Sequence, residues 1–215
     1  MSNPYKEHQP DHIQYWREIA AEVQCFGANS LVTIFRGGKD VVYREVLTDV
    51  CDKVKVKYDV KATTSDIEDA LLIKLLGDAL EKMPDADRTE FAKIVGFTNL
   101  KTFTPAGLTA ALQVAFKAGG FQSYKLTLII VNAISRALLG RGLAFAANAT
   151  LLRTASLLAG PVGWALTGAW AIVDIAGPAS RITMPSVIHV AVLRRKYSAE
   201  LAGFKKKIEE ELGKM

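Results

Sequence analysis

The chain has 215 residues, half of them apolar, which is enough to bury a sizeable core and too apolar for an intrinsically disordered segment. Its net charge of +5 is unevenly placed: residues 1 to 100 hold 13 Lys/Arg against 17 Asp/Glu, whereas residues 101 to 215 hold 14 against 5. The first dozen residues are polar where a secretory leader needs an apolar stretch, and Cys25 and Cys51 lack the close pairing of zinc or redox motifs, so both are expected as reduced core residues of a cytoplasmic protein.

The pattern is that of an all-α protein, a multi-helix bundle with a Gly/Ala-rich apolar helical hairpin in its C-terminal half. Residues 1–100 read as an amphipathic helical subdomain. Asp11 can cap a helix with Trp16, Ile19, Ala20, Val23 and Phe26 on one face, which Gly27 ends. A short segment with Leu31, Val32 and Ile34 stops at Gly37-Gly38, and Asp40 opens a helix with Val42, Val46, Leu47, Val50 and Val54. VKVKYDV, from Val54 to Val60, is the one strand-like alternation, although it follows a helix with no breaker between. Ser65-Asp66-Ile67-Glu68 has capping-box spacing before a stripe of Leu71, Leu72, Leu75, Ala79 and Leu80 that Pro84 stops. Acidic pairs such as Glu68/Asp69 and Asp85/Asp87 fit helix starts, where they favour the dipole. A helix from about Ala86 to Val95 completes this half.

Residues 101–215 read as an apolar, basic helical subdomain packed on the first, or as its continuation within one domain. Thr104-Pro105 starts a helix and Gly119-Gly120 stops it. Four nearly all-apolar segments follow, 126–139, 143–158, 162–176 and 186–197, punctuated by Gly140, Gly142, Gly160-Pro161, Gly177-Pro178 and Pro185. The 20 residues from 154 to 173 carry no charge, the length of a bilayer span, but Gly160-Pro161-Val162-Gly163 breaks them into a hairpin. Ala159, Gly163, Thr167 and Ala171 form a small-residue ridge for close helix approach. Trp164 and Trp170, with Arg181 and the cluster Arg194, Arg195 and Lys196, resemble the aromatic and basic anchors of a membrane interface. The same hydrophobicity suits a hairpin buried in a soluble bundle. Lys205-Lys206-Lys207 and Glu209-Glu210-Glu211 alternate in sign on an exposed terminal helix.

Catalytic and metal patterns are absent from the sequence. His8, His12 and His189 are too scattered for a metal site, and His189, on an apolar face, reads as a hydrogen-bonded core residue. Neither phosphate-cradling glycine motif occurs, so no cofactor is implied and an enzyme is not expected. The basic residues are interleaved with aliphatic ones rather than with exposed aromatics, which argues against nucleic acid.

The segment Trp16 to Ser30 (WREIAAEVQCFGANS), with Phe26, Gly27 and Asn29, resembles the bacterial YaaW family. The similarity continues through Arg36-Gly37-Gly38, Tyr43 to Val50 including Asp49, Lys53 to Val56, Ile67-Glu68, Leu71-Leu72, Gly160 to Gly163 and Arg181 to Ile188. It is weakest over about 100–155, and an N-terminal module carried by some relatives is expected to be missing. More distantly, the family is similar to the ubiquinol-cytochrome c chaperone domain. That resemblance implies a helical, non-enzymatic protein at or near a membrane. The expected partner is an anionic membrane surface or an apolar protein segment, with peripheral membrane association and self-assembly on the membrane compatible with either. A pore-forming effector is a special case of the first, and an assembly chaperone or adaptor is the alternative.

Overall fold

A computed structural model of the chain describes residues 4–8, 11–27, 42–97, 103–139 and 180–213. These form eight α-helices and no strand: α1 (Pro4–His8), α2 (Trp16–Gly27), α3 (Tyr43–Lys53), α4 (Thr64–Lys82), α5 (Asp85–Val95), α6 (Pro105–Ala118), α7 (Gly120–Leu139) and α8 (Ser180–Leu212). A 3-10 turn over His12–Tyr15 leads into α2. The all-α expectation holds. The hairpin 143–176, with Gly163, Trp164 and Trp170, lies outside the described residues, as do Asn29 and Arg36-Gly37-Gly38.

One hydrophobic core draws on both halves of the chain. Leu47 of α3, Leu72 and Leu76 of α4, Phe91 of α5, Leu108 and Leu112 of α6, Ile129 of α7 and Ile188 of α8 are all fully buried. Each such side chain contributes about 1.5–3 kcal/mol. Helix α8 packs along α7 and also touches α2, α3 and α4, while α4 packs along α6. The α4/α6 pair is antiparallel: Gly77 faces Thr109 near one end, and Asp69 and Phe116 meet the same arginine near the other.

Local chemistry explains most boundaries. Thr104 caps α6, its hydroxyl accepting from Gly107 N at 3.1 Å, with Pro105 in the first turn. Gly96, at φ 88°, closes α5. The start of α4 corrects the sequence reading. Its cap is Thr63, whose hydroxyl accepts from Asp66 N at 3.2 Å while Asp66 Oδ2 accepts from Thr63 N at 3.2 Å. The box therefore uses Asp66, not Glu68, as its acid. The Thr63 hydroxyl, donating to Asp66 Oδ2 at 2.6 Å, and then the Thr63 N–H hold the Asp66 carboxyl below its usual value.

The 54–60 segment, whose alternation follows a helix with no breaker, forms turns and no strand, as that context implied: Val56 N donates to Cys51 O at 2.8 Å and Lys55 N to Asp52 O at 3.2 Å, a Schellman closure with Lys55 at φ 57°. Three other expectations change. Helix α7 begins at Gly120, directly after the Gly119 stop of α6. Pro185 does not end a helix, because it stands in the second turn of α8, where few intrahelical bonds precede it. Finally, Trp16 and Ile19 are exposed. The Arg17 guanidinium lies 5.4 Å from the Trp16 ring.

Side chains from neighbouring helices also satisfy exposed helix ends. Arg88 of α5 donates to the carbonyls of Met83, Leu80 (3.4 Å) and Phe103 (3.2 Å), tying the end of α4 to the entry of α6. Lys125 and Gln122 of α7 donate to Ile94 O, at 2.6 Å, and Val95 O at the C-terminus of α5. A cation at a helix C-terminus also meets the negative end of the dipole.

Candidate functional site

An open groove of about 740 Å³ runs between α4 and α6 beside the turn that follows α3. Helical periodicity builds its walls. Asp66, Asp69, Ala70, Ile73, Lys74, Gly77, Asp78 and Glu81 recur at three- and four-residue intervals on α4, and Thr109, Gln113, Phe116 and Lys117 do so on α6. Lys55, Val56 and Lys57 supply the remaining wall. The groove thus combines apolar surface from Val56, Ala70, Ile73 and Phe116 with a charged rim.

Beneath it lies a buried charge cluster that joins five helices. Arg195 of α8, 8% exposed, meets the Asp69 carboxylate and the Ser123 hydroxyl of α7, and its guanidinium carbon sits 5.0 Å from the Phe116 ring centroid. Asp69 and Phe116 line the groove on one side and hold Arg195 on the other. Burial draws the Arg195 pKa down, and the nearby Glu68 charge acts in the opposite sense. Glu68, also buried, has Arg194 Nε 3.1 Å from Oε2 and accepts from the Tyr43 hydroxyl at 2.8 Å. The Tyr43 hydroxyl also lies 3.3 Å from Val187 O of α8. Desolvation, followed by the charge and hydrogen bond of Glu68, pushes the Tyr43 pKa well above its ordinary 10.0.

The groove's charges are unevenly spent. Asp69 is committed to Arg195, Asp78 to Lys74 at 2.5 Å and Asp66 to the Thr63 cap. The exposed cations Lys55, Lys57 and Lys117 then stand against Glu81 and Asp66, which stays charged in its cap, so the rim keeps a small positive balance that favours an anionic guest.

The structure divides the residues singled out from sequence. Arg194 and Arg195, read as interface anchors, point to buried acids; Arg195 is enclosed and its charge is neutralised internally. Lys196 is exposed and lies 3.9 Å from Glu200. Arg181 stands in the first turn of α8. Tyr43 is the family-motif residue that joins the buried cluster, Asp49 is exposed, and Phe26 and Gly27 end α2. Glu68 and Asp69 were read as dipole-favouring residues of a helix start. Because α4 begins at Thr64, they occupy its second turn and face inward. The signal lay in the match between adjacent acids, Glu68-Asp69, and adjacent arginines, Arg194-Arg195, on otherwise apolar helix faces.

Other reactive groups are quiet. Burial pushes the Cys51 thiol up to about 12, so it stays protonated. His189 Nδ1 donates to Pro185 O at 2.7 Å, within its own helix. Among the described residues no group of three His, Cys, Asp or Glu side chains is placed to hold a metal, and no helix is long and apolar enough to cross a membrane.

No family model and no solved structure matches the chain. Sequence relatives do. A UPF0174 protein of Helicobacter pylori is 45% identical over 192 residues, covering 89% of this chain and 76% of its own length. A second Helicobacter pylori UPF0174 protein is 39% identical over 200 residues, covering 91% and 95%. UPF0174 protein YaaW of Escherichia coli is 35% identical over 195 residues, covering 89% of this chain and 76% of its own length. At these identities over nine-tenths of its residues, the chain belongs to the UPF0174 family, of which YaaW is a member.

Proposed function

We propose that this protein is a non-enzymatic binding protein, an adaptor or assembly chaperone that receives an acidic, partly apolar segment of a protein partner in the α4/α6 groove. One observation carries the reading: the groove pairs an apolar wall with three exposed lysines, while the acids beside them are mostly engaged in internal bonds. Apolar contact supplies affinity to such a guest and the lysines select its charge.

A photo-crosslinking residue at Gln113 in cells tests this. The expected result is a recurrent protein partner whose capture is lost in Lys57→Glu/Lys117→Glu while the far-UV circular dichroism and melting temperature are kept. Capture unaffected by the double reversal removes the groove from the reading.

A second reading, action at a membrane through the C-terminal half, draws on the uncharged 154–173 stretch with Trp164 and Trp170 and on the basic excess after residue 100. Anionic liposomes that cosediment the protein at low salt, and lose it on Trp164→Ala/Trp170→Ala, favour this reading. Dye release from the same liposomes separates a pore-forming effector from peripheral binding.

A further inference from the structure

From Leu193 to Leu212, α8 carries an apolar stripe that no side chain among the described residues covers. Leu193, Tyr197, Leu201, Phe204, Ile208 and Leu212 are all exposed, Tyr197, Phe204 and Leu212 by 64–65%. The bundle-facing residues of the same helix, Met184, Val187, Ile188, Ala191 and Arg195, lie on a different face and end at Arg195. The stripe therefore points away from the core, and beyond Leu201 the helix projects from it.

The spacing of the stripe, four, four, three, four, four, is an eleven-residue repeat. Eleven residues occupy almost three turns of helix, so the stripe stays on one straight face. It spans ~30 Å at 1.5 Å per residue. It is also symmetric about the point between Ala202 and Gly203. In an antiparallel pair centred there, Leu193 faces Leu212 of the second copy, Tyr197 faces Ile208, and Leu201 faces Phe204.

The charges beside the stripe obey the same symmetry. Helical angles of 100° per residue put Arg194, Lys205 and Glu209 on one flank and Lys196, Glu200, Lys207 and Glu211 on the other. Antiparallel pairing brings each flank against itself. Lys196 then meets Glu211 and Glu200 meets Lys207, each across copies and each of opposite sign. A parallel pair in register brings unlike flanks together and opposes Arg194 to Lys196, Lys205 to Lys207, and Glu209 to Glu211. Within one chain Lys196 pairs with Glu200 and Lys205 with Glu209, both at 3.9 Å, long i,i+4 contacts that compete weakly, while Arg194 is held by Glu68.

We infer that the α8 extension is a self-association element, pairing antiparallel with the same helix of a second copy about a twofold axis near Ala202-Gly203. The stripe and flank charges lie outside the α4/α6 groove, so this holds independently of what that groove receives.

Analytical ultracentrifugation of the full chain tests it. The expected result is a monomer–dimer equilibrium. Leu201→Asp abolishes it. Glu200→Lys and Lys207→Glu each weaken association about tenfold or more, and the two together in one chain restore it, because both cross-copy contacts regain opposite charges. In a parallel pair these two positions do not meet, so the double variant gains nothing. Far-UV circular dichroism confirms that each variant remains helical.

A chain that stays monomeric through the high micromolar range overturns the inference. So does a dimer indifferent to Leu201→Asp, or one that the double charge reversal fails to restore. Anionic phosphatidylglycerol vesicles give the remaining outcome: a monomer in solution whose vesicle binding is lost with Leu201→Asp would assign the stripe to a lipid surface instead.

Discussion

The Tyr43 hydroxyl donates to Glu68 Oε1 across 2.8 Å, joining the first turn of α3 to the second turn of α4. It also lies near Val187 O of α8, so a family-motif tyrosine stands where three helices meet. Tyr43→Phe keeps the ring and removes this tie. The expected loss is about 1–2 kcal/mol at neutral pH, read from urea unfolding, with Glu68 retained by Arg194. An unchanged midpoint would show that the hydroxyl does not hold the junction.

Alkaline pH acts on the same region. The Tyr43 pKa is raised above 10.0 and that of Cys51 from 9.0 to about 12. Above these ordinary values the unfolded chain releases protons that the folded chain keeps. The unfolded state then binds fewer protons, and stability falls as pH rises. The urea midpoint is expected to drop from about pH 9 upward, with Cys51 and Tyr43 as two of the contributions. Cys51→Ala removes the part that begins near 9 and Tyr43→Phe the part that begins near 10.

The Arg195–Asp69 pair allows a sharper comparison. Arg195→Met alone leaves Asp69 facing the bundle without its partner and is expected to destabilise by about 3–5 kcal/mol. Adding Asp69→Leu removes the orphaned charge and is expected to recover most of that loss in thermal unfolding. A double variant as unstable as the single would show that Arg195 acts mainly through its contact with the Phe116 ring.

Arg88 gathers the carbonyls of Leu80, Met83 and Phe103 at the α4/α5 corner. Arg88→Met preserves much of the stem and leaves those carbonyls without a charged donor. A loss of about 2–3 kcal/mol is expected. Hydrogen exchange should quicken first at the C-terminus of α4 and the start of α6.

Lys55 closes α3 in the left-handed region, which disfavours a side chain. Lys55→Gly is expected to raise stability by about 0.5–1 kcal/mol, the relief of strain exceeding the added unfolded-state entropy. Because Lys55 also rims the groove, the same variant is expected to weaken capture of an acidic partner.

Local signals were legible wherever one or two residues settle the outcome. Thr104-Pro105 marks the start of α6 and Gly119 its stop, because a capping hydroxyl, a fixed φ or a missing Cβ acts within a single turn. Boundaries blurred where two candidate caps stood close together, Thr63-x-x-Asp66 against Ser65-x-x-Glu68, and where lysine took a conformation usually left to glycine. The candidate site was harder to see. The acidic pair and the arginine pair that form its floor are separated by more than a hundred residues, and each alone resembles an ordinary surface or interface cluster.

The sequence by itself determined the all-α class, the apolar faces of α4 and α6 and the family, since periodicity, caps and similarity are properties of the chain read in order. Tertiary structure alone decided which charges are buried. Arg195 and Lys196 are neighbours in sequence, but a helix turns 100° between them, which points one at Asp69 beneath the groove and the other at solvent. Charge of one sign in a row therefore acquires opposite roles only when the helix is docked on its partners.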